Sequence, residues 1–133
     1  KAGVPMLGVC LGMQLLCTRS FEDGEHAALG LIDADVVPFD RHTGLKVPHI
    51  GWNGIEPHKS HHPLLDGVLP GSDVYFVHSY YVACKDPADT LTFTDYGTRF
   101  ASMVARGNVA GAQFHPEKSQ SVGLRILKNF LAM

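Results

Sequence analysis

Short apolar runs separated by polar turns recur along the chain and predict a succession of strands. Residues 4–9 and 34–39 are short and apolar, as expected for strands buried in a sheet. Residues 73–83 form the longest run and are rich in Val, Tyr and Phe, which favour strands. Three more strands are predicted over residues 90–94, 101–105 and 109–114. Because only tight turns separate these last three, we expect them to be antiparallel neighbours.

Two other stretches carry helical signals. A helix is predicted over residues 11–20, directly after the first apolar run, and another from residue 119 or 120 to residue 131. Ser119 is the expected cap of the second helix. One apolar stripe is predicted along that helix, formed by Leu124, Leu127, Phe130 and Leu131.

Composition places the chain among ordinary globular proteins. Its 133 residues are enough for one domain with a core, and 45% of them are hydrophobic. The formal net charge of −2 implies no general affinity for nucleic acid or for a membrane surface. No apolar run approaches the roughly 20 residues that span a bilayer. Because Cys10, Cys17 and Cys84 have no paired spacing, we expect free thiols and a cytoplasmic location.

Three histidines, His58, His61 and His62, cluster in a stretch bounded by prolines. Imidazoles at short spacing can share a zinc ion, but the stretch contains no cysteine or carboxylate to complete a ligand set. We therefore interpret it as a polar loop and expect no metal site.

The most specific chemistry lies where the first strand meets the first helix, at Gly8-Val9-Cys10-Leu11-Gly12. A sharp turn that lifts a nucleophile over a helix N-terminus has this pattern. Flanking glycines allow a tight turn and close approach of a substrate. The partial positive charge of the helix N-terminus would favour the thiolate of Cys10. Such sites lie at the carboxyl ends of strands in open α/β sheets, so we expect an open, mostly parallel sheet with flanking helices.

A second stretch, Gln113-Phe114-His115-Pro116-Glu117, supplies what a cysteine nucleophile lacks. His115 can take the thiol proton as a general base and later return it to the leaving group. Glu117 can fix the tautomer and orientation of the imidazole, and Pro116 stiffens the turn between them. We therefore predict that Cys10, His115 and Glu117 form a catalytic triad.

These two stretches resemble the signature motifs of the triad-type (class I) glutamine amidotransferases. Three further segments resemble, within that family, the glutaminase subunits of imidazole glycerol phosphate synthase, an enzyme of histidine biosynthesis. The segments are residues 47–53, residues 76–81 and the Lys118-Ser119 pair. The resemblance covers residues 4–130, which is nearly the whole chain.

The resemblance implies a glutaminase, in which Cys10 attacks the side-chain amide of glutamine and releases ammonia, and then glutamate, through a thioester. It implies no metal and no organic cofactor. The backbone N–H of Leu11 would contribute to the oxyanion hole. The other residues implied in glutamine binding are Gln14, Glu22, Ser79 and Tyr80.

The resemblance also implies a protein partner, a (β/α)₈-barrel cyclase subunit that receives the ammonia and forms imidazole glycerol phosphate. The residues implied at the interface are His49, Trp52, Asn53 and Lys118. Tryptophan is a common interface anchor. The glycine and asparagine beside Trp52 favour a loop there.

Only one predicted strand precedes Cys10. In the family, an earlier strand carries a glycine-rich loop that forms part of the oxyanion hole. We therefore expect residues 1–133 to be the C-terminal portion of a single amidotransferase domain, truncated at its N-terminus. We also expect this portion to be inactive by itself.

Three alternatives stay open. The first is an amidotransferase subunit of another pathway, such as anthranilate or guanylate synthesis, although Met13 and residues 48–53 argue against it. The second is a stand-alone cysteine hydrolase that cleaves γ-glutamyl bonds. The third is a binding subunit without catalytic activity. Labelling of Cys10 by a glutamine analogue would separate the third from the others.

Overall fold

The computed structural model describes residues 4–22, 24–40, 44–58 and 62–133, which form ten strands and two α-helices around an open sheet. The strands are β1 (Met6–Val9), β2 (Arg19–Ser20), β3 (His26–Ala27), β4 (Ala34–Pro38), β5 (His49–Pro57), β6 (Ser72–His78), β7 (Tyr80–Cys84), β8 (Thr90–Tyr96), β9 (Thr98–Arg106) and β10 (Val109–Ala112). The helices are α1 (Leu11–Leu15) and α2 (Gln120–Leu131). Short 3₁₀ helices lie at Pro63–Leu65, Pro87–Asp89 and Pro116–Lys118.

The strands follow the order β3-β2-β4-β7-β9-β8-β5-β6, and β10 lies between β9 and β1. The expected open α/β sheet is confirmed, but its pairing is mixed where we expected mostly parallel strands. In the described residues, β1–β10 and β2–β4 are the parallel pairs and the other pairs are antiparallel. The short turns at Gly97 and Gly107 join β8, β9 and β10 as antiparallel neighbours, as predicted. The antiparallel pairs β4–β7, β5–β6 and β5–β8 were not expected.

The long apolar run over residues 73–83 is two strands rather than one. β6 pairs with β5, whereas β7 pairs with β4 and β9, and the chain changes neighbours at Ser79. A run of hydrophobic residues indicates that a strand is buried but not which strand it pairs with. The change of partners at Ser79 therefore could not be predicted from the sequence. The loop that we expected around Trp52 is also wrong, because Trp52 lies in the nine-residue strand β5.

Both helices differ in detail from their predictions. α1 ends at Leu15, and the chain re-enters the sheet as β2. α2 reaches Leu131 as predicted, but its buried residues are Gly123 and Ile126, and Leu124 is 57% exposed. The side chain of Ser119 makes no capping hydrogen bond to this helix.

Two hydrophobic clusters lie on opposite faces of the sheet. β9 shows this arrangement directly, because Met103 and Ala105 enter one cluster and Val104, which lies between them, enters the other. The first cluster packs under α2 through Ile126, and the second packs under α1 through Met13. Among the helices described here, none has both the length and the apolar character needed to cross a membrane.

Candidate active site

Cys10 lies between β1 and α1 in a strained backbone conformation, with φ 54° and ψ −109°. Left-handed φ values are costly for residues with a side chain, and they concentrate at functional sites. The turn is held from both sides, since the backbone N–H of Cys10 donates to the carbonyl of Ala112 at 2.7 Å. The carbonyl of Cys10 accepts from the N–H of Gln14 at 3.2 Å. This is the geometry of a nucleophile elbow.

The two glycines near Cys10 serve different purposes. A Cβ atom at Gly8 would lie 2.6 Å from the carbonyl oxygen of Gly12, so β1 can pack this closely on α1 only with glycine there. A Cβ at Gly12 would meet no atom of the described chain within 4 Å. The close turn therefore depends on Gly8, and Gly12 leaves open space on the outer side of the helix.

His115 lies next to this turn because β10 runs parallel to β1, with Val9 opposite Ala112. Both strands end at the same edge of the sheet, and Gln113 to His115 continue from β10. His115 Nδ1 lies 3.0 Å from Glu117 Oε2, which leaves Nε2 as the ring nitrogen for proton transfer. Because Cys10 follows β1 and the His115–Glu117 pair follows β10, the three predicted triad residues lie at the same edge of the sheet.

The turn that carries His115 is rigidly packed. The backbone N–H of His115 donates to the carbonyl of Tyr75 at 3.0 Å, and the carbonyl of His115 accepts from Ser119 Oγ at 2.7 Å. Ser119 Oγ in turn accepts from the N–H of Tyr75 at 3.0 Å, which explains why this side chain does not cap α2. A Cβ on Gly123 would collide with the carbonyl of Pro116, so glycine allows α2 to press against the turn.

The Cys10 thiol is harder to ionise than we expected. Burial raises its pKa above the ordinary value, and the charge of Glu117 also raises it. The backbone N–H of Leu11 and the side chain of Gln113 act in the opposite direction but do not outweigh burial. Because α1 has only five residues, its N-terminus is a weak source of positive potential. A thiolate here therefore needs a general base such as His115.

A pocket of about 150 Å³ opens at Cys10, and it brings together every residue predicted to bind glutamine. It is lined by Cys10, Leu11, Gln14, Glu22, Val77, His78, Ser79 and Tyr80. Glu22 is exposed at this pocket and offers a carboxylate, which suits an ammonium group. Leu11 is the first residue of α1, so its backbone N–H points toward the elbow and is available as an oxyanion donor.

The structure treats the four predicted interface residues differently. Trp52 is 49% exposed, with its ring 5.6 Å from that of Tyr75 in an edge contact, and Lys118 is exposed. Asn53 is half-buried and donates to the carbonyl of Asp95 at 3.0 Å. His49 does not fit the prediction, because it is 3% exposed and its side chain cannot reach a partner surface.

Cys17 and the described histidines of the proline-bounded stretch, His58 and His62, do not line this pocket. Cys17 is fully buried, and burial raises its pKa to about 12, as suits a packing residue. His58 packs edge-on against Phe93, and His62 Nδ1 accepts from the N–H of Leu64 at 3.1 Å. His61 lies outside the described residues. In the part of the chain described above, no cluster of three or more His, Cys, Asp or Glu residues is placed to hold a metal ion.

Two contacts to Cys10 were missed by sequence reasoning. Gln113 Nε2 lies 3.7 Å from the sulfur, and the thiol lies 3.8 Å from the carbonyl of Val77. The position of Gln113 two residues before His115 offered a signal, because both residues follow the same strand end. The Val77 carbonyl offered none, since its direction depends on the β5–β6 pairing.

Comparison with known proteins places this geometry in a family. Residues 1–133 match the family model described as glutamine amidotransferase class-I. Imidazole glycerol phosphate synthase subunit HisH of Wolinella succinogenes is 50% identical over 133 residues, which cover 98% of this chain and 64% of that protein. The protein of the same name from Salinibacter ruber is 53% identical over 137 residues, which cover 98% of this chain and 62% of that protein. The chain thus spans less than two thirds of the length of these relatives.

The fold is shared more widely than the sequence. The structure of PurLQS from Thermotoga maritima matches with a TM-score of 0.71 at 16% identity, covering 98% of this chain and 62% of that chain. At that identity the likeness shows the fold alone. The family match over all residues and the identities near 50% show that the chain belongs to the class I glutamine amidotransferases.

Proposed function

We propose that the intact protein hydrolyses glutamine to glutamate and ammonia, with Cys10, His115 and Glu117 as its catalytic triad. The observation that carries this proposal is the common strand edge, where a strained Cys10 follows β1 and the His115–Glu117 pair follows the adjacent, parallel β10. A nucleophile, a base and a group that orients the base are the parts that amide hydrolysis by a thiol needs.

The reaction begins when His115 takes the proton of the Cys10 thiol. The thiolate attacks the side-chain amide carbon of glutamine, and the backbone N–H of Leu11 donates to the oxygen that becomes negatively charged. His115 then protonates the leaving nitrogen, ammonia departs, and a γ-glutamyl thioester remains on Cys10. Water, deprotonated by His115, attacks the thioester and releases glutamate and the thiol.

Substrate recognition would use the other residues that line the pocket. The carboxylate of Glu22 would attract the α-ammonium group of glutamine, and backbone groups of Ser79 and Tyr80 would hold its α-carboxylate. Gln14 lies on the same wall of the pocket, one helical turn after Cys10. No metal or organic cofactor takes part in these steps.

We further propose that the ammonia passes to a (β/α)₈-barrel cyclase partner that makes imidazole glycerol phosphate for histidine biosynthesis. The names of the relatives, imidazole glycerol phosphate synthase subunits at about 50% identity, support this pathway. The exposed ring of Trp52 supports a docking face on the outer side of β5 and β6. We also propose a cytoplasmic location, because all three cysteines are free thiols, as is usual for proteins of a reducing compartment.

The triad is tested by labelling the intact protein with an electrophilic glutamine analogue and mapping the adduct by mass spectrometry. We expect modification at Cys10 and none at Cys17 or Cys84. The Cys10→Ala variant, assayed with the cyclase partner, should lose synthesis from glutamine and keep synthesis from added ammonia. Modification at Cys17 or Cys84 with Cys10 unlabelled would reject the assignment. Turnover that needs no partner would favour the stand-alone hydrolase.

The partner face is tested by Trp52→Ala. Truncation of a central aromatic anchor typically weakens binding by about 2 kcal/mol, and we expect this loss with little change in melting temperature. Leu69→Ala is the matched control, because Leu69 is 75% exposed and lies in a loop before β6. A large loss of stability with unchanged affinity would assign Trp52 to packing instead.

A further inference from the structure

A buried amide, Gln113, contacts the sulfur of the nucleophile. The Gln113 side chain is fully buried, so its oxygen and its nitrogen both require partners. Its Oε1 accepts from Gln14 Nε2 at 3.2 Å, and its Nε2 lies 3.7 Å from Cys10 Sγ. Its backbone N–H donates to the carbonyl of Ser102 at 2.9 Å, which fixes the residue on the end of β10.

The orientation of this amide follows from its neighbours. Gln14 Nε2 also lies 3.3 Å from the carbonyl of Tyr80, and a carbonyl can only accept, so the Gln14 atom facing both partners is its NH₂ group. That NH₂ group therefore requires an oxygen from Gln113. Once Oε1 of Gln113 faces Gln14, its own NH₂ group must face Cys10.

The hydrogen-bond network extends from Tyr80 into the core through two histidines, and each of its donors faces an acceptor. The carbonyl of Tyr80 also accepts from His78 Nδ1 at 2.8 Å, so the neutral ring of His78 must accept at Nε2. His49 Nδ1 lies 2.9 Å from that atom and is its donor. His49 Nε2 then accepts from Asn53 Nδ2 at 3.4 Å. Every donor from Asn53 to Cys10 finds an acceptor, so the network allows one orientation of the Gln113 amide.

We propose that Gln113 is a further catalytic residue, whose side-chain N–H donates to the sulfur of Cys10 and stabilises the thiolate. The inference rests on the proposed function, because it assigns Gln113 a part in the same reaction. His115 removes the thiol proton, and the negative charge that remains on Sγ is held by the amide of Gln113 and by the backbone N–H of Leu11. Hydrogen bonds to charged groups are about twice as strong as those between neutral groups, so this contact strengthens as the thiol ionises.

The amide also offsets a cost that the fold itself creates. Cys10 is half-buried, and burial disfavours its charged form. Glu117, which orients His115, adds a further unfavourable charge. A neutral donor to the sulfur stabilises the thiolate without introducing a positive charge that would compete for Glu117. Gln113 can do this because it follows β10 directly, opposite the elbow.

The test replaces Gln113 by methionine, which has a similar length and no donor, in the intact protein. The rate of Cys10 alkylation by iodoacetamide, measured from pH 5 to pH 10, gives the thiol pKa in the absence of glutamine. We expect a higher pKa and alkylation at pH 7 that is slower by about tenfold, since one pKa unit corresponds to a tenfold change in the ionised fraction. The other titratable side chains that line the pocket, Glu22, His78 and Tyr80, and the His115–Glu117 pair at the strand edge are unchanged in the variant.

Thr92→Val is the matched control for lost stability. Thr92 is fully buried and its Oγ1 lies 2.7 Å from Ser102 Oγ, so the substitution removes a buried hydrogen bond of the same sheet that does not involve the sulfur. We expect a lower melting temperature and an unchanged thiol pKa for this control. The inference is overturned if Gln113→Met alkylates like the wild type, or if its only effect is a higher KM for glutamine through Gln14.

The wild-type protein supplies a second measurement that does not depend on the folding of a variant. The side-chain amide resonance of Gln113 should shift with pH at the midpoint found for Cys10 alkylation, and Cys10→Ala should abolish that shift. If the Gln113 amide resonance does not change with pH at the thiol midpoint, the inference is overturned. Neither measurement uses glutamine, so Gln113 can be confirmed if the glutaminase proposal fails, and rejected if glutamine hydrolysis is found.

Discussion

Two pairs of titratable residues, each containing histidine, lie at different depths of this protein, and burial gives them opposite properties. His49 and His78 share a hydrogen bond in the core, at 3% and 6% exposure. His115 shares one with Glu117 at the strand edge, where its side chain is 23% exposed and that of Glu117 is 55% exposed. Among the residues that the structure describes, the inner pair has aromatic neighbours and no carboxylate partner, whereas the outer pair includes a carboxylate and lies at the same strand edge as Cys10.

The aromatic surroundings explain the state of the inner pair. His49 stacks on Tyr96 at 3.9 Å and on Phe76 at 4.8 Å between ring centroids. Burial lowers the pKa of His49 and of His78 from the ordinary 6.5 to about 4, so both rings are neutral at pH 7. A neutral ring with fixed tautomers holds the Tyr80 carbonyl in place. The partner and the depth of a histidine therefore decide whether it is suited to proton transfer or to fixing geometry.

The largest effect is expected from the outer pair. His115→Asn removes the proposed general base, and such bases typically contribute about 10²–10⁴-fold to the rate. Glutamate release by the intact protein with its partner should fall by that factor, while thermal unfolding changes little because His115 is partly exposed. If the variant keeps its activity, another residue is the general base, and the outer pair does not differ from the inner pair in transferring protons.

The inner pair should make stability depend on pH. The pKa of each histidine is lower in the folded chain than in the unfolded chain. The unfolded chain is therefore protonated at these histidines below pH 6.5, whereas the folded chain is protonated there only below about pH 4. The stability that the neutral rings provide is therefore complete above pH 6.5 and is lost as pH falls toward 4. The slope is at most about 1.4 kcal/mol per pH unit for each histidine. Urea unfolding at several pH values measures it, and a flat profile between pH 6.5 and 4 contradicts the assignment.

Breaking the inner pair should lower the free energy of unfolding, and we expect this effect to be smaller than the loss of rate in His115→Asn. His78→Leu leaves the His49 Nδ1–H group buried without an acceptor, which typically costs about 2 kcal/mol. The double variant His49→Phe/His78→Leu should recover part of that loss, because no unpaired ring N–H remains. The recovery is incomplete because Asn53 Nδ2 keeps only its bond to the Asp95 carbonyl and the Tyr80 carbonyl keeps only its bond from Gln14. Chemical denaturation of the wild type, both single variants and the double variant completes the cycle. Strictly additive losses would show that the two rings are not coupled.

The smallest effect is expected where the inner pair meets the surface. Asn53→Asp places a carboxylate beside His49 Nε2 and so gives the inner pair the kind of partner that His115 has. At pH 7 the loss of the amide donor should cost about 1 kcal/mol. Below pH 6.5 the variant should lose stability less steeply than the wild type, because the carboxylate favours the charged ring. Asn53→Ala is the control, since it removes the donor without adding charge.

The elbow and the triad motif could be predicted from sequence because their signals are local. Cys10 has glycine two residues before it and a helix directly after it, and His115 and Glu117 are two residues apart. Runs of apolar residues likewise gave most strands and α2, since periodicity depends only on neighbours in the chain. The family resemblance rested on these same local motifs, and comparison over residues 1–133 confirmed it.

Long-range pairing decided what the sequence did not. His49 and His78 are 29 residues apart and meet only because β5 pairs with β6 in a register that sets them opposite each other. Gln14 and Gln113 are 99 residues apart, and the parallel β1–β10 pair brings them together. The β5–β6 pairing also made β5 a strand despite its glycines, and it buried His49, which we expected at a surface. Strand register depends on all partners at once, so only the tertiary structure decides which of the chain's polar residues face one another.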